Sequence, residues 1–503
     1  MPTFYVTTPI YYVNAAPHLG HAYTSIAADI LTRHARIAGK EAFFLTGVDE
    51  HGEPVVLAAE RDAVTPQQLV DLNAERFREL TRLLELSNDF FIRTTDAGHM
   101  TRVQEILQRV HDAGHTYRGI YEGWYCPRCA DFKGDSEIGP DNSCPIHQIP
   151  LERESEDNWF FRLSTFQAPL ERLFADRPDF VMPRHAYNEA HSFLSQGLQD
   201  VSLTRAKLSW GVPVPWQPDH VFYVWFDALL NYVTALGYAR EGESLERFWP
   251  ADFHLIGKDI LKFHTIYWPA LLMAAGLEPP RHVFVHGFLL SPLDGALEKM
   301  SKSRGNVLDP FAIIAEFGAD ALRHYLFREV TFGADGPVSL EGFRSRYDAE
   351  LANEYGNLAS RTLNMLERYS GGTVASVALD AELVRDFAGL AGRVDALLDR
   401  AEISAALEEI WQHVRRLNRY VEEHAPWRLA RDEERTDELT RVLASLAEGL
   451  RVVTVALNPY MPAKTATLLD ALGRPSLTAR EYSVLGWGGP VGALAPLFPK
   501  TAR

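Results

Sequence analysis

The chain has 503 residues, and at roughly 150 residues per domain this length predicts about three domains and excludes a single small binding module. Its 46% hydrophobic and 23% charged residues exclude a disordered or collagen-like chain. A formal net charge of -17 argues against a protein that coats DNA, so any surface that binds nucleic acid must be a local basic patch.

The sequence carries no pattern of export or membrane insertion. Its first residues, Met1-Pro2-Thr3-Phe4, lack the basic and then apolar pattern of a secretory signal, and three cysteines cannot form a disulfide framework. The longest apolar stretches, such as residues 268–277, are much shorter than the ~20 residues that span a bilayer. We therefore expect a cytoplasmic protein that neither crosses nor binds a membrane.

The first part of the chain alternates between strand and helix patterns. A strand is predicted over residues 3–8, an irregular stretch over 9–17, a helix through 22–31 and a second strand over 41–46, followed by a turn at 47–52. This order predicts a parallel α/β sheet with right-handed crossovers. Because ligands bind beyond the carboxyl ends of such strands, the irregular stretch and the turn are expected to border a binding site.

The alternation stops between about residues 113 and 182, where short segments rich in Gly, Pro, Asp and Cys predict an insertion. Strand patterns return at 221–224, 253–256 and 283–285, and the first two each precede a helix pattern. The insertion is therefore expected to split the sheet into two halves. From about residue 347 the pattern is almost entirely helical, which predicts a helical bundle.

The segment Pro17-His18-Leu19-Gly20-His21 lies where the loop after the first strand enters a helix. Two imidazoles three residues apart project from the same side of a helix N-terminus, where free backbone N–H groups and the helix dipole favour phosphate. Gly20 leaves room for a flat base or a sugar to approach the backbone. The pattern indicates a nucleotide site, with a pair of surface histidines as the alternative.

A second motif, Lys299-Met300-Ser301-Lys302-Ser303, stands between a predicted hairpin turn at 291–295 and a helix start at Asp309-Pro310. Its lysines and hydroxyls, extended by Arg304, suit a polyphosphate that must be gripped during transfer and released afterwards. Taken alone, a solvated run of charges is the alternative.

Together, these two motifs resemble the HIGH and KMSKS signatures of class I aminoacyl-tRNA synthetases, with Leu19 in place of isoleucine. Further matches along nearly the whole chain resemble methionyl-tRNA synthetases: Asp49-Glu50-His51-Gly52, Tyr223-Val224-Trp225-Phe226-Asp227-Ala228, Gly257-Lys258-Asp259-Ile260, Asn357-Leu358-Ala359-Ser360-Arg361 and Ala425-Pro426-Trp427. The resemblance implies an α/β fold: a Rossmann-like parallel-sheet catalytic domain, split by a zinc-knuckle insertion and followed by an all-α anticodon-binding bundle.

The expected domains follow from this organisation. The two halves of the catalytic domain are expected over residues 1–113 and 183–290, with the zinc-knuckle insertion at 114–182 between them. The remainder is expected to divide into a stem-contact region with the KMSKS loop at 291–346, the helical anticodon-binding domain at 347–480 and a C-terminal extension at 481–503.

All three cysteines belong to one pattern, in which Cys126-x2-Cys129 is followed after fourteen residues by Cys144-x2-His147. This spacing predicts a closed tetrahedral zinc site of three thiolates and one imidazole, with unliganded residues as the alternative. Such a site leaves no position for water, so its expected role is structural, in an insertion too small to build its own core. By resemblance this is the single-knuckle form, with one Zn²⁺ per chain and histidine as the fourth ligand.

Two sets of side chains are expected on single helical faces, each helix beginning just after a strand of the sheet: Trp225, Ala228, Leu229 and Tyr232, and Ile260, His264 and Trp268. From spacing alone, ordinary core packing is the alternative. The resemblance implies that both sets line a methionine pocket together with Ile10 and Tyr12. It also implies that the Tyr232 hydroxyl is offered to the thioether sulfur and that Asp49 pairs with the substrate ammonium. Leu229 stands where some members of the family have proline.

In the helical third, Asn357 and Arg361 are one turn apart on one helix, and Trp427 follows Pro426 at the end of another. An amide, a guanidinium and an indole can hydrogen-bond and stack unpaired bases, although ordinary surface residues would fit the pattern too. The resemblance implies that these positions read the CAU anticodon.

The resemblance implies a methionine–tRNA ligase, which makes methionyl adenylate and pyrophosphate from methionine and ATP and then acylates the terminal ribose of tRNA(Met), initiator and elongator. No protein nucleophile is needed, since catalysis is positioning plus charge stabilisation with Mg²⁺ on the ATP. The expected catalytic residues are His18, His21, Lys299 and Lys302. The expected ATP contacts are His18, Gly20, His21, Lys258, Lys299, Ser301, Lys302 and Ser303.

Other functions fit less well. Leucyl, isoleucyl and valyl relatives insert a large editing domain, for which residues 113–182 leave no room. A cysteinyl enzyme would be expected to hold zinc at its substrate pocket, and a catalytically silent tRNA-binding paralogue would not need the intact histidines and lysines. Since the chain stops at Arg503, without the C-terminal module by which many relatives dimerise, we expect a monomer.

Overall fold

The computed structural model describes residues 1–127, 131–134, 137–145, 148–237, 244–293, 296–299 and 308–500. At its centre, the described residues form a parallel sheet of six strands. Their order across the sheet is Phe90–Arg93, Glu41–Asp49, Thr3–Tyr12, Phe253–Gly257, His282–His286 and Val181–Met182. The predicted parallel α/β sheet is thereby confirmed.

The strand Thr3–Tyr12 lies between Glu41–Asp49 and Phe253–Gly257. The chain leaves this strand towards one edge of the sheet, passes through the insertion and returns on the other side. The strand order therefore reverses between Thr3–Tyr12 and Phe253–Gly257, and in parallel sheets a crevice for ligands opens at the carboxyl ends of the strands at such a point.

The first two strands are longer than predicted. Thr3–Tyr12 continues through Pro9, where its register against Glu41–Asp49 shifts between Thr7 and Ile10. Proline has no N–H to donate, so the ladder is interrupted there and resumes at Ile10. Residues 9–12, which were expected to be irregular, therefore belong to the strand, and this part of the prediction is wrong.

The predicted strand at 221–224 belongs elsewhere. The observed strand is Gln217–Phe222, which pairs antiparallel with Pro213–Val214 and Thr204–Arg205 and lies outside the central sheet. An apolar run predicts that a segment is buried but not which sheet it joins.

The insertion is more regular than predicted. Its long strands Thr116–Cys126 and Glu152–Phe161 pair antiparallel along their length, flanked by Asp131–Lys133 and Val201–Ser202. Many residues of these strands are exposed or half-buried, which weakens the hydrophobic pattern on which strand prediction depends. Val181–Met182, at the end of the expected insertion, forms an edge of the central sheet. The domain boundaries stay predictions.

Helices cover both faces of the central sheet and its edges. Those of the first half of the chain are Leu19–Ile37, Glu53–Arg61, Pro66–Leu83, Ala97–Asp112, Gln167–Asp176, Arg184–Ser195, Val224–Leu229, Asn231–Thr234, Ser244–Phe248 and Trp268–Ala274, with 3₁₀ or π turns at Pro140–Asn142, Leu163–Phe166, Lys258–Ile260 and Phe263–Tyr267. In Leu19–Ile37, side chains such as Ile26 and Ile30 are fully buried, and burial of this kind contributes about 1.5 to 3 kcal/mol per side chain.

The second half of the chain is mostly helical, and the helical pattern predicted from about residue 347 is confirmed as far as Ala471. Its helices are Pro310–Phe317, Ala319–Glu329, Leu340–Arg346, Asn357–Ser370, Ala381–Phe387, Leu390–Leu398, Ile403–His424, Pro426–Leu429, Thr436–Leu457 and Pro462–Ala471, with a π segment at Tyr347–Gly356 and a 3₁₀ turn at Glu433–Arg435. Its short strands are Leu289–Leu293, Ala296–Lys299, Gly336–Pro337, Thr373–Val374 and Gly489–Pro490. Among the described residues, no helix has the length and apolar character needed to cross a membrane.

The predicted hairpin strands and the predicted helix start on either side of residues 300–307 are confirmed, while 300–307 themselves lie outside the described residues. Leu289–Leu293 and Ala296–Lys299 pair antiparallel. The Asp309 carboxylate then caps the next helix by accepting a hydrogen bond from the Phe311 backbone N–H at 3.0 Å.

Candidate active site

A cavity of about 340 Å³ opens at the carboxyl ends of the central strands, at the point where their order reverses. It collects most of the residues that were predicted to bind methionine and nucleotide. The predicted residues that line it are Ile10, Tyr12, His18, Gly20, His21, Asp49, Trp225, Ala228, Leu229, Tyr232, Ile260 and His264.

The two histidines stand at the start of helix Leu19–Ile37. Nδ1 of His18 accepts a hydrogen bond from the Gly20 backbone N–H at 3.1 Å, and Nδ1 of His21 accepts one from the His18 backbone N–H at 3.1 Å. The rings stack with their centroids 3.7 Å apart. Because each Nδ1 is an acceptor, the proton of each neutral ring lies on Nε2, so both rings can donate there to an anion.

Gly20 has a steric role beside the one expected from sequence. A Cβ atom at this position would lie 2.9 Å from Cε1 of His18. A larger residue would therefore displace the His18 ring from its position over His21.

The wall of the expected methionine pocket contains a hydrogen-bonded pair. Nδ1 of His264 lies 3.0 Å from the Ile260 carbonyl, and Nε2 lies 2.8 Å from the Tyr232 hydroxyl. Burial lowers the pKa of His264 to about 4, so the ring is neutral. Its Nδ1–H donates to the carbonyl, and Nε2 accepts the Tyr232 proton. Because the Tyr232 hydroxyl proton is directed to His264, the Tyr232 oxygen can only accept a hydrogen bond from a ligand. It could donate to a ligand only if the hydroxyl rotated away from His264.

Trp268 lies behind this wall. It is fully buried, its ring centroid is 5.7 Å from that of Tyr232, and its Nε1 donates to Nε2 of His254 at 3.1 Å. The structure therefore brings Ile260 and His264 to the cavity but places Trp268 one layer further out. Trp225, by contrast, lines the cavity and stacks on Phe263 with centroids 3.8 Å apart.

Asp49 is buried at the end of strand Glu41–Asp49 and lines the cavity. Burial, and then the neighbouring Asp227 carboxylate, raise the pKa of Asp49 well above its ordinary value. A cation entering the cavity would compensate this unfavourable charge, which is the chemistry that the resemblance assigns to the methionine ammonium.

Sequence reasoning did not foresee the network behind Asp49. The Asp227 carboxylate is 2.6 Å from Nδ1 of His51 and 2.8 Å from Nε2 of His99, and all three side chains are buried. Burial by itself would raise the pKa of Asp227, but the two rings lower it to about 2. Asp227 and His51 do stand in the sequence motifs quoted above, whereas nothing in the local sequence marks His99.

Other cavity residues were also missed. Thr24, Asn231, Asp259 and His286 line it, and Asp259 alone belonged to a quoted motif. Within the described part of the chain, the Asn231 side-chain oxygen is buried without a hydrogen-bond partner. Buried acceptors of this kind usually have a partner.

The predicted phosphate-binding lysines are only partly described. Lys258 does not line the cavity: its Nζ lies 2.6 and 2.8 Å from the two carboxylate oxygens of Asp335 and 4.4 Å from the ring centroid of Phe288, which does line it. The backbone of Lys299 ends a strand. Ser301, Lys302 and Ser303 lie outside the described residues, as does the rest of the stretch 300–307.

Two of the four predicted zinc ligands are described. Cys126 and Cys144 are both fully buried and pack in one small cluster with Leu151. Cys129 and His147 lie outside the described residues. In the ranges that remain, no group of three or more His, Cys, Asp or Glu side chains is arranged to hold a metal ion. The zinc site therefore stays a prediction, and the burial of the two thiols in one cluster fits it.

The structure brings two of the predicted anticodon residues together. The Arg361 guanidinium lies 5.6 Å from the Trp427 ring centroid and donates to Glu422 at 2.8 Å. Arg361 borders an open cavity of about 330 Å³ whose other lining residues are Asn418, Arg419, Glu422 and Glu423. Asn357 is exposed at the start of the helix that carries Arg361.

Comparison with known proteins gives one consistent result. The family model described as tRNA synthetases class I (M) matches residues 4–155 and 140–363. The methionine–tRNA ligase of Caldanaerobacter subterraneus is 44% identical over 99% of this chain and 79% of the relative. The enzyme of the same name from Streptomyces coelicolor is 44% identical over 99% of this chain and 96% of the relative.

Solved structures agree with the sequence comparison. The methionyl-tRNA synthetase of Mycobacterium tuberculosis in complex with methionyl-adenylate has a TM-score of 0.95 and 39% identity, over 99% of this chain and 100% of that one. Its apo form has a TM-score of 0.88 and 36% identity, over 100% of this chain and 99% of that one.

Proposed function

The chain belongs to the methionine–tRNA ligases of the class I aminoacyl-tRNA synthetases, and on that premise we propose that the cavity at the carboxyl ends of its central strands is where it activates methionine. The overall reaction is the family's: methionine and ATP give methionyl adenylate and pyrophosphate, and methionine is then transferred to the 3′ end of tRNA. The observation that carries the assignment of the site is the meeting of His18, His21, Asp49 and Tyr232 at one cavity.

In the proposed site, Asp49 holds the methionine ammonium, and the side chain enters the pocket lined by Trp225, Tyr232 and His264. The methionine carboxylate oxygen attacks the α-phosphorus of ATP, and the bond to the β-phosphate oxygen breaks with pyrophosphate as leaving group. Nε2–H groups of His18 and His21, at a helix N-terminus, stabilise the charge that develops on the phosphates. Mg²⁺ bound to ATP would offset further phosphate charge.

Lys299 and Lys302 are proposed to hold the leaving pyrophosphate, with Ser301 and Ser303 as hydroxyl donors. In the second step a ribose hydroxyl of the tRNA attacks the adenylate carbonyl carbon, and AMP leaves. Neither step uses a protein nucleophile, so the residues contribute by orienting the reactants and stabilising charge.

Methionine-dependent exchange of labelled pyrophosphate into ATP, in the absence of tRNA, tests this assignment most directly. We expect exchange with methionine because the cavity is complete without the helical region. Exchange at equal rates with leucine or isoleucine would contradict the methionine pocket.

We further propose that one Zn²⁺ per chain is held by Cys126, Cys129, Cys144 and His147. The two described thiols are buried in one small cluster, and a closed thiolate-rich site ties down an insertion of little core. Elemental analysis of purified protein should give one zinc per chain, and Cys144→Ala should lose it. Metal-free wild-type protein, or a variant that retains its zinc, would refute the site.

The helical region is proposed to read the anticodon through Asn357, Arg361 and Trp427. A base stacked on an aromatic ring is worth roughly 1 to 3 kcal/mol, so Trp427→Ala should lower aminoacylation kcat/KM by about 5- to 150-fold. Pyrophosphate exchange should change little, because Trp427 contacts Arg361 in the helical region and does not line the cavity. If exchange and aminoacylation fell equally, Trp427 would be supporting the fold.

The assembly and the tRNA substrates are also proposals. We infer a monomer that acts in the cytoplasm on both initiator and elongator tRNA(Met). Sedimentation at micromolar concentration tests the oligomeric state, and charging of the two purified tRNAs tests the substrate range.

A further inference from the structure

Arg323, on helix Ala319–Glu329, is a fully buried guanidinium. Buried cations are rare unless their donors are paired, and this one is paired on every nitrogen. Its bonds are Nη2 to Asp29 at 2.6 Å, Nη2 to the Pro459 carbonyl at 2.7 Å, Nε to the Tyr460 carbonyl at 3.0 Å and Nη1 to the Leu84 carbonyl at 3.1 Å.

The partners of Arg323 belong to the two regions of the protein that carry the proposed tRNA sites. Asp29 lies on helix Leu19–Ile37, which begins at the histidine pair of the active site. Pro459 and Tyr460 follow helix Thr436–Leu457 in the helical region. The Tyr460 hydroxyl in turn donates to the Ile403 carbonyl at 2.9 Å, at the start of the helix that leads to Trp427.

Asp29 is itself held from several sides. It is fully buried and accepts hydrogen bonds from the Ser87 backbone N–H at 2.7 Å, the Ser87 hydroxyl at 2.6 Å and Arg33 at 2.7 Å. Burial alone would raise the pKa of Asp29, but Arg323 and then Arg33 hold it below its ordinary value. Both partners of the Asp29–Arg323 pair are therefore charged and desolvated, so the pair resists separation.

Other charged contacts between helix Leu19–Ile37 or its flank and the helical region are weaker. Lys40 meets Asp399 at 3.2 Å with the carboxylate exposed, and His34 meets Asp395 at 3.3 Å. The Lys40–Asp399 pair contributes little to rigidity because water and salt screen it. His34 is buried, and burial lowers its pKa to about 4, so its neutral ring forms no ion pair with Asp395. Among these charged contacts of the described residues, the Asp29–Arg323 pair alone is fully buried on both sides, so water screens it least.

A small change of this angle would be amplified along the bundle. Helix Thr436–Leu457 has 22 residues, which corresponds to about 33 Å at 1.5 Å per residue. A tilt of about 5° at the Tyr460 end would move the other end, near Trp427, by roughly 3 Å. Displacements of about 1 Å between reacting groups can cost a factor on the order of 100 in rate.

We propose that Arg323 is a positioning residue for aminoacyl transfer. By joining Asp29 to the Pro459–Tyr460 turn, it holds the helix of the histidine pair and the anticodon-binding helices at the one angle at which a single tRNA engages Trp427 and delivers its 3′ end to the active-site cavity. This inference rests on the function proposed above for the two sites.

Asp29→Asn tests the proposal. Asparagine keeps an oxygen that accepts from Ser87, but its amide nitrogen cannot accept from Arg323. We expect aminoacylation kcat/KM for full-length tRNA to fall about 10- to 100-fold, with methionine-dependent pyrophosphate exchange changed less than about 3-fold. Arg33→Gln is the matched control: it removes the other ion pair of Asp29 from the same helix without touching the helical region, and both activities should stay unchanged.

A double mutant supplies a readout that a general loss of stability would not move. In the Asp29→Asn background, adding Trp427→Ala should cost much less aminoacylation than in the wild type, because anticodon contacts no longer help transfer when the angle is free. Additive losses, an equal fall of exchange and aminoacylation, or unchanged aminoacylation would each overturn the proposal. If Asp29→Asn does not fold, Arg323→Lys serves in its place, since lysine keeps the ion pair but lacks the fork that binds both turn carbonyls.

Measurements on the wild-type protein distinguish a failure of this proposal from a failure of the proposed function on which it rests. Absence of methionine-dependent exchange in the wild type would defeat the proposed site. Normal exchange in the wild type combined with an unaffected Asp29→Asn variant would defeat the role of Arg323 alone.

Discussion

Replacing His21 with alanine is expected to slow methionyl adenylate formation about 100- to 1000-fold, the usual loss when one preorganised donor to a transition state is removed. The His18 backbone N–H donates to Nδ1 of His21 at 3.1 Å, so the ring presents Nε2–H as its donor at a helix N-terminus. Single-turnover formation of the adenylate measures the loss. The KM for methionine should stay within about 3-fold, because the donor serves the phosphates and not the amino acid.

Two further variants test whether the loss in His21→Ala comes from the missing donor. His21→Gln should recover part of the rate, since its amide N–H can lie near the position of Nε2. His34→Ala removes another buried histidine of the same helix, one that is outside the cavity and pairs with Asp395, and should leave adenylate formation unchanged. A His21→Ala enzyme with normal turnover but a raised methionine KM would place the ring beside the amino acid instead.

Much of the geometry of the candidate site could be predicted because parallel strands end at the same edge of a sheet. Asp49 ends one strand and His18 follows the neighbouring one, so their meeting needs only the strand order and the handedness of the crossover. The resemblance then supplied Tyr232 and His264, which lie on separate short helices and which no local pattern joins.

The sequence predictions that were wrong failed for physical reasons. The spacing of Ile260, His264 and Trp268 assumes a regular α-helix, but the segment is a 3₁₀ turn at Lys258–Ile260 and then a π turn at Phe263–Tyr267. A π turn carries extra residues per turn, so it changes the phase of the face, and Trp268 turns away from the cavity towards His254.

Polar side chains that pair across long stretches of the sequence could not be predicted either. Arg323 and Asp29 are 294 positions apart, and the Asp227 carboxylate meets His99 across 128 positions. Such pairs follow from the packing of whole elements, and hydrophobic periodicity within a window of residues carries no information on them.

Asp49→Asn is expected to raise the methionine KM about 30- to 1000-fold, from the roughly 2 to 4 kcal/mol lost when one partner of a desolvated charge pair is neutralised. The asparagine oxygen can still accept the long 3.4 Å hydrogen bond from the His51 backbone N–H, so the pocket itself should persist. Steady-state pyrophosphate exchange at varied methionine measures the change. Asp320→Asn is the matched control. Burial also raises the pKa of Asp320, in this case to about 6, but Asp320 lies outside the cavity, so the methionine KM should not change.

The pH dependence of this variant distinguishes a binding role from a structural one. Only the ionised Asp49 carboxylate attracts the ammonium, so the wild-type methionine KM should fall as pH rises through the raised pKa of Asp49, and the variant should lose this dependence. The stability of the folded protein should fall over the pH range in which methionine binding improves. An acid whose pKa is raised by folding loses its stabilising contribution as pH rises through the folded pKa, so above that pH Asp49→Asn should melt at the wild-type temperature or higher. A clearly lower melting temperature there, or a pH-dependent KM retained in the variant, would show that Asp49 supports the fold and does not hold the substrate.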